Sequence, residues 1–139
     1  MHYRNVERGY LIRLSRGEEL ITSLTTFLKK KNITSGIISG IGAVSEIELG
    51  FYNLDEKSYI WRKYTDPMEI ASIQGNIALN ENQPFVHLHG VFTGRKFNAV
   101  GGHIRRATIS ATCEININII DQEISRKLDE EIGLKLLEL

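Results

Sequence analysis

The sequence predicts an α+β fold, in which a mainly antiparallel, curved sheet carries one helix in the N-terminal half of the chain and a second helix at the C-terminus. Two observations support this prediction. Many short runs alternate apolar with polar residues and are separated by turn residues, which is typical of antiparallel strands. Only residues 20–28 and 122–139 show mainly the three- or four-residue apolar spacing of a helix.

The composition is that of a globular protein. The chain has 139 residues, 42% of them apolar and 24% charged, which predicts one domain over residues 1–139. No apolar run approaches the ~20 residues that cross a bilayer, and the N-terminus lacks the apolar core of a signal peptide. We therefore expect a cytoplasmic protein with no membrane partner. Lys plus Arg and Asp plus Glu both number 17, so the basic excess typical of nucleic-acid binders is missing.

The first predicted elements are a strand at residues 9–15 and a helix that follows it. Ser15 and Glu18 have the spacing of a capping box, which predicts that Ser15 caps the helix. Three consecutive lysines, residues 29–31, lie where the helix should end, and positive charge there offsets the helix dipole.

The next predicted strand, residues 36–44, contains Gly40 and Gly42, which indicate a bend or a close approach of two backbones. Glycines at this spacing also occur in phosphate-binding loops. However, no further glycine follows at the Rossmann spacing, and a strand rather than a helix comes next. In that strand three apolar residues alternate with polar ones, which predicts one buried face: Ile47, Leu49 and Phe51.

The rest of the chain is predicted to be rich in strands. Residues 68–79 fit a helix nearly as well as a strand, whereas four other segments favour strands: 58–65, 85–93, 97–111 and 114–119. At the C-terminus four apolar residues recur at intervals of four and predict a helix, which Gly133 weakens: Ile124, Leu128, Ile132 and Leu136.

A cluster of histidines is the feature with the clearest chemical content. Residues i and i+2 of a strand share a face, so His87 and His89 should point the same way, roughly 6–7 Å apart at Cα. His103 follows after a turn and can reach the same face from the neighbouring strand. The only cysteine, Cys113, is expected to be a buried, inert thiol, which excludes a cysteine-rich metal site.

Three imidazoles on one face form a ligand set for a divalent transition metal. Nitrogen ligands without thiolate suit Zn²⁺, with Ni²⁺, Co²⁺ or Cu²⁺ as alternatives. Three protein ligands leave a fourth position open, as in catalytic zinc sites, although a carboxylate from another subunit could also fill it. The alternative interpretation is a metal-free strand face on which the three histidines only make hydrogen bonds.

Three motifs together resemble the plants-and-prokaryotes-conserved (PPC) domain, found in plant AT-hook nuclear proteins and as stand-alone prokaryotic proteins. The motifs are Ser39–Val44, His87-Leu88-His89 and Val100-Gly101-Gly102-His103, with Arg16-Gly17-Glu18 before the helix, and the resemblance runs from about Arg8 to Ile120. It implies a mainly antiparallel sheet, a homotrimer and a metal, zinc by preference, at His87, His89 and His103. It also implies an association with DNA. No AT-hook core surrounds Pro67 or Pro84, so we expect weak or no direct DNA binding.

Three functions remain open from the sequence. The first is a metal-binding trimeric module with a regulatory or assembly-forming role. The second is a zinc-dependent hydrolase or lyase that uses metal-bound water and a nearby acid such as Glu46, Glu48 or Glu69. The third is a DNA-associated protein that uses two groups of arginines, Arg105 and Arg106 in one and Arg4, Arg8, Arg13 and Arg16 in the other. The sequence indicates no substrate.

Overall fold

A computed structural model describes residues 1–139 as a strongly curved antiparallel sheet with one helix. The order along the chain is β1 (His2–Val6), β2 (Gly9–Ser15), α1 (Leu20–Lys31), β3 (Gly36–Asn53), β4 (Ser58–Tyr64), β5 (Met68–Asn80), β6 (Gln83–Thr93), β7 (Ala99–Ile119), β8 (Arg126–Asp129) and β9 (Leu134–Leu137). The mainly antiparallel sheet and the N-terminal-half helix are thus confirmed. The ambiguous segment 68–79 lies in β5 and is a strand.

The main sheet folds back on itself. Its seven strands run β1-β2-β7-β6-β5-β3-β4, and β3 also pairs with β7. Hydrogen-bonded neighbours therefore close β3, β5, β6 and β7 into a ring. Gly40 and Gly42 of β3 allow this closure, because a Cβ on either would meet the backbone of β7 within 2.8 Å. Their role is close strand approach, and the chain around them pairs as a strand rather than forming a phosphate-binding loop.

The inner face of the curved sheet and α1 enclose the apolar core. Leu24 and Leu28 of α1 pack with Leu88 of β6 and Ile109 of β7, all fully buried. Cys113 is buried in the same core, as expected, and burial raises the pKa of its thiol to about 12, which disfavours the reactive thiolate. With 12 residues, α1 is too short to cross a membrane.

The start of α1 differs from the predicted capping box. Glu19, not Ser15, is the N-cap, and its carboxylate accepts hydrogen bonds from the backbone N–H groups of Ile21 and Thr22 at 3.2 and 2.8 Å. Glu18 accepts from the N–H of Ser15 at 2.6 Å, so only one half of the box forms. Glu19 is the better cap because its carboxylate also accepts a hydrogen bond from the backbone N–H of Ala107 in the sheet, at 3.1 Å.

The predicted C-terminal helix is wrong. Residues 126–137 form a hairpin of β8 and β9. Gly133 takes a φ of +79°, and the side chain of Asp129 accepts from the N–H of Ile132 at 2.9 Å, which closes a turn instead of continuing a helix. Long-range hydrogen bonds override the helical preference of the four-residue apolar spacing. One of them runs from the N–H of Leu79 to the carbonyl of Ile124 at 2.8 Å.

The apolar alternation in the second half of β3 is confirmed only in part. Ile47 and Leu49 are buried, but Phe51 is 70% exposed. Beyond Leu49 the strand runs past the core and pairs with β4, where Ile60, the partner of Phe51, is also exposed. Strand β1 pairs with β2 at the edge of the sheet and was not among the predicted elements.

Candidate metal centre

Strands β6 and β7 bring the three histidines together on the outer face of the sheet. His87 and His89 share a face of β6, and His103 of β7 lies directly opposite His89 in the strand register. The ring centroids of His87 lie 5.1 Å from those of both His89 and His103, and the last two are 5.4 Å apart. One ligand nitrogen from each ring lies within 4.8 Å of the other two. This spacing is short enough for three imidazoles to converge on one ion.

Aromatic rings from β4 form one wall of the site. The rings of Tyr59 and Trp61 stack on each other at 4.7 Å and lie 5.1 and 6.0 Å from the ring of His103. Gly50 of β3 pairs with both His103 and Trp61. A Cβ at Gly50 would meet the Trp61 ring at 2.6 Å and the Tyr59 ring at 2.8 Å. The glycine therefore leaves the space in which these rings lie against the histidine.

Arg126 on β8 contacts His87 of the cluster, and the sequence analysis missed it. Its Nη2 donates to Oδ1 of Asn76 at 2.6 Å and lies 3.2 Å from Nδ1 of His87. Its guanidinium also lies over the ring of Phe85 at 5.3 Å. The predicted C-terminal helix gave no sign that Arg126 lies beside His87, which is 39 positions earlier in the chain.

The histidines are in a chemical state that suits a metal ion. Burial, with the nearby charge of Arg126 and of the other histidines, lowers the pKa of His87 to about 4. Burial, with His89 and Arg126, likewise lowers the pKa of His103 to about 4. Both rings are therefore neutral at pH 7 and keep a free lone pair. Nδ1 of His103 is buried without a hydrogen-bond partner, an unmet need that a metal ion would satisfy.

The predicted acids do not join the cluster. Glu46 pairs with Lys63 at 2.9 Å, and Glu48 pairs with Arg105 at 3.3 Å. Glu69 lies at the start of β5 opposite Thr93, several residues along the strand from the position that faces His87. The group of ligand side chains at the site consists of histidines alone.

The candidate DNA-binding arginines are distributed over several strands. Arg8 and Arg16 flank the two ends of β2, which are roughly 25 Å apart at ~3.3 Å per residue. Arg4 and Arg13 lie between them on the hairpin of β1 and β2. Arg105 is on β7, next to Arg106, where its guanidinium lies 4.7 Å from the Trp61 ring and pairs with Glu48.

The lowered pKa values predict how stability depends on pH in metal-free protein. Unfolded histidines have a pKa of about 6.5, so between pH 6.5 and 4 the unfolded chain binds protons at His87 and His103 that the folded chain does not. The stability contribution is complete above pH 6.5 and is lost as the pH falls. We expect the Tm of EDTA-treated protein to drop between pH 7 and pH 5. In a protein with both His87→Gln and His103→Gln, the drop should be smaller. Equal drops in Tm in the native and doubly substituted proteins would contradict the assignment of the pH dependence to His87 and His103.

Comparisons with known proteins agree with this fold. The profile of the Plants and Prokaryotes Conserved (PCC) domain matches residues 1–121. A putative DNA-binding protein from Bacteroides thetaiotaomicron is 30% identical, with a TM-score of 0.95 over 99% of this chain and 96% of that one. A plant- and prokaryote-conserved (PPC) protein from Pyrococcus horikoshii is 30% identical, with a TM-score of 0.89 over 99% and 95%.

A metal-containing protein from Archaeoglobus fulgidus is 31% identical, with a TM-score of 0.87 and complete coverage of both chains. No curated protein sequence matches the chain. The profile match covers most of the chain, and all three structures superpose over nearly its whole length. The chain therefore belongs to the Plants and Prokaryotes Conserved domain family, whose name is also abbreviated PPC.

Proposed function

We propose that this chain is a metal-binding PPC-domain protein that holds one divalent transition ion through His87, His89 and His103. The observation that carries the proposal is the convergence of three imidazoles whose ligand nitrogens lie within 4.8 Å of one another. Zinc is the preferred ion because the ligand set is all nitrogen, and Ni²⁺, Co²⁺ or Cu²⁺ are alternatives. The metal content of the Archaeoglobus relative supports the same conclusion.

Binding is a better account of the site than hydrolysis or lyase chemistry. An ion held by three histidines acts as a Lewis acid at its open position. A hydrolase would also need a group beside that position to accept a proton. Glu46 and Glu48 are both engaged in ion pairs with cations, and Glu69 lies elsewhere on β5. We therefore favour a regulatory or assembly-forming module whose ligand the metal helps to bind.

We also propose that the protein assembles as a homotrimer. The family resemblance is the main reason, and the outer face of the sheet supports it. Leu11 on β2 and both Ile37 and Ile41 on β3 are 51%, 46% and 57% exposed, and these two strands flank β7. Exposed apolar side chains on both sides of one strand are suited to contact between copies of the chain.

The metal proposal predicts about one zinc ion per chain in protein purified without a histidine tag. His103→Ala should lose most of the bound zinc, because two imidazoles bind the ion much more weakly than three. His2→Ala is the matched control, since His2 lies on β1 outside the cluster, and it should keep its zinc. Elemental analysis measures both. Full metal content in His103→Ala would show that the proposed ligand set is wrong.

The trimer proposal predicts a light-scattering mass of three times the 15.8 kDa chain at micromolar concentration. Ile41→Glu should shift the mass towards one chain, because it replaces an exposed apolar side chain of the outer face with a charge. Leu54→Glu alters an equally exposed leucine in the turn after β3 and should leave the mass unchanged. A native protein with the mass of one chain would refute the trimer.

For DNA we predict weak binding without sequence preference. The chain has equal numbers of acidic and basic residues, and Arg105 is already paired with Glu48. Any binding should be electrostatic, with log K falling by about 0.9 per log unit of salt for each phosphate neutralised. At roughly 150 mM salt the Kd should lie near or above the non-specific range of 10⁻⁴–10⁻⁶ M. Titrations with AT-rich and GC-rich duplexes test this, and nanomolar affinity for one of them would reverse it.

A further inference from the structure

The guanidinium of Arg126 lies beside the histidine cluster without a carboxylate partner. Its Nη1 donates to the carbonyl of Lys135 at 2.9 Å, and its Nη2 donates to Oδ1 of Asn76 at 2.6 Å. Its Nε is buried and has no hydrogen-bond partner. All of the acceptors that it contacts are therefore neutral. Arginines that are partly withdrawn from water are usually paired with an anion, and this half-buried guanidinium has none.

The contact between Arg126 and His87 cannot persist when His87 binds a metal ion. A neutral imidazole has one in-plane lone pair, because its other ring nitrogen carries the proton. Arg126 can only donate, so at 3.2 Å Nδ1 of His87 must be the acceptor. If the lone pair of His87 goes to a metal ion, the remaining ring nitrogen is an N–H and cannot accept. Metal binding thus frees a second N–H of Arg126, close to the ion.

Charge balance also favours an anion at this site. The three histidine ligands are neutral, so a divalent ion and the guanidinium together bring three positive charges into a half-buried site. The freed Nη2–H and the unpartnered Nε–H belong to one planar guanidinium, whose paired donors match the two oxygens of a carboxylate. The walls nearby are aromatic, with Tyr59 against His103 and Phe85 beneath Arg126. Apolar walls favour an organic anion over free phosphate.

We propose that the histidine site binds a small organic carboxylate together with the metal ion, and that Arg126 donates hydrogen bonds to that carboxylate. The proposal rests on the metal-binding function above and adds the chemical class of its ligand. Because the carboxylate and the ion share the site and attract each other, each should increase the affinity for the other by the same factor.

Propionate is the probe, and zinc binding to metal-free protein is measured by calorimetry in a buffer without carboxylate or phosphate. We expect millimolar propionate to tighten zinc binding about tenfold, within the usual range for coupled sites. In the native protein, equilibrium dialysis of labelled propionate with and without zinc should give the same factor. This second measurement needs no variant. Trp61, the only tryptophan, lies 6.0 Å from His103 and provides a fluorescence signal for the same titrations.

The variants separate Arg126 from the metal ligands. Arg126→Gln should bind zinc but lose the propionate effect, whereas Lys127→Gln, at the exposed next position of β8, should keep both. Circular dichroism checks that Arg126→Gln is folded. Zinc binding that propionate leaves unchanged would overturn the carboxylate proposal alone, and absence of zinc binding would overturn the metal proposal and this one with it. A larger effect from inorganic phosphate than from propionate would overturn the assignment to an organic carboxylate.

Discussion

The pairing of β3 with both β5 and β7 is the constraint on which the rest of this structure depends. It bends the antiparallel sheet into a ring, so that one face of each strand encloses the core and the other faces outward. Leu88 then points into the core while its neighbours His87 and His89 point out, and the register of β6 with β7 sets His103 opposite His89. The metal-ligand geometry is therefore a consequence of backbone pairing and not of any local loop.

The sequence was sufficient to predict the parts of the site that depend on strand periodicity. A period of two is a local property, so His87 and His89 could be placed on one face without knowledge of the fold. His103 required only the additional assumption of a neighbouring antiparallel strand. The same period of two puts Tyr59 and Trp61 on one face of β4, where their rings stack at 4.7 Å.

The parts that could not be predicted depend on distant contacts. The hairpin that carries Arg126 is fixed by bonds to residues far away in the chain, such as Tyr52 Oη to the carbonyl of Ile132 at 2.7 Å. The four-residue apolar spacing of the C-terminal segment contains no information about these distant hydrogen bonds, so it predicted a helix. Phe51 was misplaced for a similar reason, because the end of the core along β3 is set by the neighbouring strands.

The carboxylate of Glu19 links the start of α1 to the sheet by hydrogen bonds, in addition to their contact in the core. It accepts from the first turn of α1 and from Ala107 of β7, four residues beyond His103. Burial opposes its ionisation, but the hydrogen bonds outweigh burial and lower its pKa. Fraying of the first helical turn therefore also breaks a bond to the sheet. We therefore expect the amide protons of Ile21, Thr22 and Ala107 to exchange with solvent together, so that helix fraying reaches the strand that holds the third histidine.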